Sequence, residues 1–211
     1  MDIKNIYQEF GIPPNLQEHM FRVWGVVSFI EIHWNNSQIK VDWDLVKQAS
    51  LLHDLGNVVR FDFNKHPEFL GKEQINVEYW KDIQKKVIEN YGSDDHIATE
   101  KMLMEMGVSQ EMIEIIGKKS FGNSVAIKNG NNWPLKILSY ADLRTLPWGI
   151  GTLEERIADI KERMPKYTSR PDFNDLIEAC RRVERQIQEN LNVPVSEINN
   201  DTIVSKKCAG V

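Results

Sequence analysis

The segment Leu51-Leu52-His53-Asp54-Leu55-Gly56 places an imidazole and a carboxylate side by side at the end of an apolar run. Two further polar residues interrupt apolar patterns elsewhere in the chain, His19 upstream and Asp142 downstream. Two imidazoles and two carboxylates suit a divalent metal ion of hard to borderline character. We therefore predict a metal site formed by His19, His53, Asp54 and Asp142. Such an ion can activate water at neutral pH, which is typical of a metal-dependent hydrolase.

Helical periodicity turns the two histidines towards a protein interior. His19 shares the apolar face of a helix predicted over residues 16–34, and His53 shares that of a second helix predicted to end at Gly56. On a helix, Asp54 would be rotated by about 100° from His53. Two adjacent helical residues can converge on one ion only near the edge of a buried face, so we expect the site at such an edge.

A further predicted helix, over residues 133–145, carries Asp142. Leu135 and Leu138 precede this carboxylate by seven and four residues, so it lies on an otherwise apolar stripe. Burying a charge there is costly unless it is paired or bound to a metal. The position therefore favours Asp142 as a ligand over an ordinary surface acid.

Helical spacing also accounts for most of the remaining chain. Residues 61–79 and 121–132 lack it and are predicted to be loops, with one weak strand candidate at residues 125–127. We predict an all-α fold in which roughly eight helices form a bundle around the metal site. A single domain is expected over residues 1–192, followed by a polar, flexible C-terminal tail over residues 193–211. The further predicted helices cover residues 80–90, 93–107, 109–117, 153–164 and 172–191.

Composition limits the classes of partner. The chain of 211 residues is 41% hydrophobic and 27% charged, which is enough to bury a core and stay soluble. Its net charge of −5 argues against binding a nucleic-acid polymer, because that needs a basic surface. Two cysteines, Cys180 and Cys208, favour a reduced compartment over a disulfide framework. With no apolar stretch of roughly 18 residues and no signal peptide, we expect a cytoplasmic protein without a membrane partner.

The order of the four candidate ligands resembles that of the HD-domain phosphohydrolase superfamily. Members of this superfamily carry a His, then a His-Asp pair, then a distant Asp on separate helices of an α-helical bundle, and His19, His53-Asp54 and Asp142 match that order. The resemblance implies an HD-domain-like bundle with one divalent metal ion (Mn²⁺, Co²⁺, Ni²⁺, Fe²⁺, Zn²⁺ or Mg²⁺). It also implies hydrolysis of a phosphate ester.

Two residues beside the predicted metal are candidates for catalysis. Asp54 is suited to accept a proton from water while it also holds the ion. Asn57 follows it by three residues and could hydrogen-bond a water on the metal or the substrate. Superfamily members with an acid or a lysine close behind the His-Asp pair have a different residue there, so the proton donor stays open.

Five basic residues are candidates for substrate binding, each with a structural alternative. Arg22, one turn after His19 in the chain, could reach a phosphate or pair with an acid. Arg144 could contact substrate or form a structural ion pair. His96 matches an additional histidine of many superfamily members, which recruits a second metal or contacts phosphate, or it could cap a helix. Lys118 and Lys119 stand where two-metal members carry a further histidine, and could supply positive charge instead.

The leading functional hypothesis is a phosphohydrolase acting on a nucleotide or another small phosphorylated metabolite. The acidic chain favours a small substrate over a polymer. A second hypothesis is a ligand-binding or regulatory HD module that keeps the metal but has little turnover, and a third is a purely structural helical bundle. A homo-oligomer is also open, because the amphipathic helix over residues 172–191 could bury its apolar stripe internally or against a partner.

Overall fold

Helices form nearly all of the regular structure in the computed structural model, which describes residues 1–203. A single two-stranded sheet occurs in this part of the chain, an antiparallel hairpin of β1 (Thr145–Leu146) and β2 (Gly149–Ile150). The predicted all-α fold is confirmed. Across the same residues, no helix is both long and apolar enough to cross a lipid bilayer. The helices are α1 (Ile3–Glu9), α2 (Pro14–His33), α3 (Trp43–Leu52), α4 (Val77–Tyr91), α5 (Asp95–Glu105), α6 (Gln110–Lys118), α7 (Ser124–Asn129), α8 (Trp133–Leu143), α9 (Leu153–Arg163), α10 (Pro165–Thr168) and α11 (Phe173–Gln188).

Three of these helices, α1, α7 and α10, lie where no helix was predicted. The predicted loop over residues 121–132 contains a 3₁₀ turn at Phe121–Asn123 followed by α7, and the strand candidate at residues 125–127 lies inside α7. The buried Ser124 hydroxyl donates a hydrogen bond of 2.7 Å to the Phe121 carbonyl. This short-range bond lies at the start of α7, which is too short to show a periodic pattern in the sequence. Only the end of the segment, residues 130–132, is a loop.

Two units divide the chain. The first comprises Met1–Met20 and Leu51–Gly117, and the second comprises Phe21–Ser50 and the chain from Lys118 onward. All three boundaries between the units fall inside helices, within α2, within α3 and at the end of α6. The single domain expected over residues 1–192 stays a prediction.

Helix α3 has a side-chain cap at its start and ends earlier than predicted. The Asp42 carboxylate accepts the backbone N–H of Leu45 at 2.9 Å and so caps the first turn. The helix ends at Leu52 instead of Gly56, and a 3₁₀ helix covers Leu55–Arg60. The His53-Asp54 pair therefore occupies a turn between two helices. This corrects the expectation that both residues lie on one helix, and it removes the constraint of a rotation of about 100° between them.

Gly56 has a packing role in the first unit. Its backbone N–H donates to Thr99 Oγ1 of α5 at 3.0 Å. A Cβ at this position would lie 2.4 Å from the Asp95 carbonyl oxygen and 2.5 Å from the Thr99 backbone nitrogen. Only a residue without a side chain allows the 3₁₀ helix to approach α5 so closely. Gly56 is therefore a contact residue and not the helix terminator that the sequence predicted.

Two further side chains of the first unit hold the segment around His53 and Asp54. The Tyr7 hydroxyl of α1 donates to the Leu51 carbonyl at 2.7 Å, at the end of α3. The Gln84 amide of α4 donates to the Val58 and Phe61 carbonyls at 2.7 and 2.8 Å. Hydrogen bonds from α1, α4 and α5 therefore fix the turn and the 3₁₀ helix that follows it.

The second unit buries the apolar stripe of α11 internally. Thr152 and Glu155 form a capping box at the start of α9. Burial also raises the pKa of the Cys180 thiol to about 11, so this cysteine stays protonated at neutral pH. The core of this unit contains Phe121, Leu153, Ile157, Ile160, Leu176, Ile177 and Cys180.

The chain after α11 includes ordered structure. Within the segment predicted to be a flexible tail, Val195–Glu197 form a 3₁₀ turn and Ile198 is buried. The remaining tail residues, 204–211, lie outside the described residues, and Cys208 is among them.

Candidate metal centre

Three ligand atoms of the first unit converge on one point. His19 Nε2 and His53 Nε2 are 3.2 Å apart. The Oδ2 atom of Asp54 lies 3.4 Å from the first of these nitrogens and 3.5 Å from the second. The three atoms thus form a nearly equilateral triangle, with His19 supplied by α2 and the other two by the turn after α3.

A carboxylate oxygen of Asp142, from the last turn of α8, belongs to the same group. One ligand atom from each of His19, His53, Asp54 and Asp142 lies within 4.8 Å of the others. The prediction that these four residues come together is confirmed. Among the side chains that the structure describes within residues 1–203, which leave out those of residues 68–69, this is the one group of three or more His, Cys, Asp or Glu close enough to hold an ion.

The spacing and burial of these atoms fit a first-row divalent ion. Donor atoms bound to one ion at about 2.1 Å lie about 3.0 Å apart at a right angle and about 3.4 Å apart at the tetrahedral angle. The observed separations of 3.2, 3.4 and 3.5 Å fall in or beside this range. His53 is buried, whereas the side chains of His19 and Asp54 remain 20% and 13% exposed. An ion could therefore enter from solvent and reach a firmly held histidine.

Lys119 brings a positive charge to the fourth ligand. Lys119 follows the last residue of α6 and is 9% exposed. Its Nζ lies 3.1 Å from Asp142 Oδ2. A carboxylate has two oxygens, so Asp142 can accept this bond and still offer an oxygen to a metal. Lys118, the other candidate, is exposed, and its backbone carbonyl accepts a hydrogen bond from the Asn123 amide at 2.9 Å. The geometry therefore favours Lys119 as the charge beside the site.

Arg22 and Arg144 have very different surroundings. Arg22 is partly exposed, and its Nη1 lies 3.4 Å from the Pro147 carbonyl at the tip of the β1–β2 hairpin. Arg144 is 2% exposed and donates to the Gly151 and Ile198 carbonyls at 2.5 and 2.6 Å. These contacts favour the structural alternative for Arg144, while substrate contact by Arg22 stays a prediction.

Arg144 also belongs to a buried polar network. Its Nη1 donates to the Tyr140 hydroxyl at 2.6 Å, and that hydroxyl donates to the Glu184 carboxylate at 2.8 Å. Burial raises the pKa of Tyr140, so the phenol stays neutral. The hydrogen bonds of the Arg144 guanidinium therefore connect α8, α11 and the chain around residue 198, which is a structural role.

His96 and Asn57 do not join the ligand group. His96 is exposed in the first turn of α5, where Asp94 caps the helix by accepting the Ile97 N–H at 2.9 Å. The cap is therefore Asp94 and not His96. Asn57 lies in the 3₁₀ helix, with its backbone N–H donating to the Asp54 carbonyl at 3.0 Å. The catalytic role of Asn57 and the phosphate or second-metal role of His96 stay predictions.

Comparisons with known proteins add no family assignment. No protein-family model matches this chain, and searches of curated proteins and of solved structures returned no significant match. The resemblance to the HD-domain superfamily therefore depends on the order of the four ligands and on their convergence in the structure.

Proposed function

We propose that this protein is a metal-dependent phosphohydrolase of the HD-domain type that cleaves a nucleotide or another small phosphorylated metabolite. The observation that carries the proposal is the convergence of His19, His53, Asp54 and Asp142 within 4.8 Å. When bound there, a divalent ion supplies water of lowered pKa and polarises the phosphoryl group. Four protein ligands leave two positions of a six-coordinate ion open for this chemistry.

Each polar side chain of the group has a distinct role in this proposal. His53 is buried and holds a fixed orientation, while the more exposed His19 completes the pair of nitrogen ligands. Asp54 accepts the proton of the attacking water, because its carboxylate lies 3.4 and 3.5 Å from the two imidazole nitrogens and so beside the proposed ion. The Lys119 ammonium, fixed beside Asp142, offsets negative charge that develops on the phosphoryl oxygens.

The substrate class follows from charge and size. A net charge of −5 disfavours a polyanionic polymer, whereas a single phosphoryl group can be held by a metal ion and a few cations. Arg22 stands one turn after His19 on α2 and is the candidate contact for that phosphoryl group. A small phosphorylated metabolite is therefore the proposed substrate.

The Lys119–Asp142 pair also favours a second candidate function. An ammonium 3.1 Å from a ligand carboxylate competes with a metal ion for its negative charge. Such competition suits a regulatory module that binds a metal and a phosphorylated ligand but turns over little. The phosphohydrolase and the regulatory module are both expected to bind a metal ion, but only the phosphohydrolase turns over substrate. An assay of phosphate release therefore distinguishes them.

We expect metal-stripped protein to be inactive and the metal-loaded protein to release phosphate. The measurement is phosphate release from a chromogenic phosphomonoester and from a panel of 5′-nucleotides, with Mn²⁺, Co²⁺, Ni²⁺ or Mg²⁺ added after chelation. Hydrolysis that is equal with and without chelator would contradict the proposed mechanism. Stoichiometric metal without hydrolysis of any panel member would instead identify the regulatory module.

A further inference from the structure

An open cleft of about 360 Å³ lies along α11 in the second unit. Three of its side chains are cationic and one is a carboxylate, in a chain whose overall net charge is −5. None of the residues of the metal group lines it. We call it the cationic cleft, and its lining residues are Lys128, Asn129, Glu178, Arg182, Arg185 and Gln186.

A buried lysine adjoins the cationic cleft. Lys136 of α8 is 4% exposed, and its Nζ donates to the Lys128 carbonyl at 3.2 Å and to Gln186 Oε1 at 2.8 Å. Both acceptors are neutral and both belong to lining residues. Burial lowers the pKa of the Lys136 ammonium, and the charge of Arg182 lowers it further. An anion in the cleft would relieve this repulsion.

The carboxylates around the cleft balance only part of its positive charge. Glu178 pairs with Arg185 at 2.5 Å, and Glu189 pairs with Arg182 at 3.5 Å. The side chains of both arginines are about half exposed, at 51% and 45%, so these pairs are weak and can exchange partners at little cost. Two acids against the four cations Lys128, Lys136, Arg182 and Arg185 leave a local excess of positive charge.

We propose that the cationic cleft binds a small phosphorylated anion with at least two negative charges, as a site distinct from the metal group. Two guanidinium groups on one helix face can each donate paired hydrogen bonds to phosphoryl oxygens. The cleft volume is within the range of small-molecule sites. The Lys136–Lys128–Gln186 hydrogen bonds hold its wall in place, so binding requires movement of the exposed arginines alone.

The test uses inorganic pyrophosphate as the probe and the full-length His53→Ala protein, stripped of metal, so that the metal group cannot contribute. Calorimetry at constant ionic strength is expected to give one site per chain. The double variant Arg182→Gln/Arg185→Gln should weaken binding at least about tenfold, because charge-assisted bonds to phosphate are lost. Arg170→Gln is the control, since Arg170 is also a partly exposed arginine of the second unit but pairs with Asp172 at 2.7 Å and does not line the cleft. It should leave the affinity unchanged.

A variant of opposite sign makes the result independent of any loss of folding. Glu178→Gln removes the one carboxylate in the cleft lining and should tighten binding several-fold. The proposal is overturned by absence of binding, by equal effects of the Arg170→Gln and double variants, or by weaker binding in Glu178→Gln. Because the test protein lacks a metal ligand, these outcomes leave the phosphohydrolase proposal untouched.

Discussion

Asp54→Ala should reduce metal-dependent hydrolysis of a phosphate ester by at least about a hundredfold. The substitution removes both the proposed proton acceptor and one of the four metal ligands. Asp54 Oδ2 is 3.4 and 3.5 Å from the two imidazole nitrogens. Initial rates at saturating metal separate the loss of proton transfer from simple loss of the ion.

Asp44→Ala is the matched control for this variant. Asp44 is also an aspartate of the α3 region, but its side chain is 87% exposed and pairs only loosely with Lys47 at 3.5 Å. We expect it to keep nearly full turnover. Wild-type rates in Asp54→Ala, or equal losses in the two variants, would show that the proposed site is not where hydrolysis occurs.

Gly56→Ala should cause the largest loss of stability of any single methyl addition near the site. The new Cβ would lie 2.4 Å from the Asp95 carbonyl oxygen and 2.5 Å from the Thr99 nitrogen, and both are backbone atoms that cannot rotate away. Overpacking of this kind costs about 1–3 kcal/mol and occasionally more. Because Gly56 follows Asp54 by two residues, relief of the clash would also displace a metal ligand. The measurements are the free energy of unfolding in urea and the metal affinity.

Gly117→Ala provides the control. This glycine lies inside α6, and a Cβ there meets no atom within 4 Å. Alanine is the better helix former by about 1 kcal/mol, so this variant should be neutral or slightly stabilised. A Gly56→Ala protein as stable as Gly117→Ala would mean that the 3₁₀ helix and α5 do not approach as closely as the structure has them.

Helical periodicity was sufficient to locate the site because each ligand interrupts an apolar pattern. His19 and Asp142 lie within long helices, α2 and α8, whose inward faces are repeated in the sequence at spacings of three, four and seven residues. A polar side chain on such a face loses most of its contact with water, and a metal ion is one of the few partners that can compensate for this loss. The order of the ligands then indicated which polar residues belong together.

The features that the sequence could not indicate depend on contacts between distant residues. The sequence predicts Gly56 as a helix terminator. In the structure a side chain is excluded there because the backbone of Thr99, 43 residues later, packs against Gly56. Arg144 was a candidate for substrate contact, yet Ile198, 54 residues later, accepts one of its hydrogen bonds. Local patterns contain no information on such pairs. The same reason explains why Lys119 could not be assigned to Asp142 before the fold was known.

The most direct test of the account is the metal content of the purified protein, measured by elemental analysis for wild type, His53→Ala and His33→Ala. His33 is the control, since it hydrogen-bonds Asn192 at 3.0 Å and is not among the four ligands. We predict about one transition metal ion per chain in wild type and in His33→Ala, and none in His53→Ala. Metal-free wild type after incubation with Mn²⁺, Co²⁺ or Ni²⁺, or equal metal in His53→Ala, would contradict it.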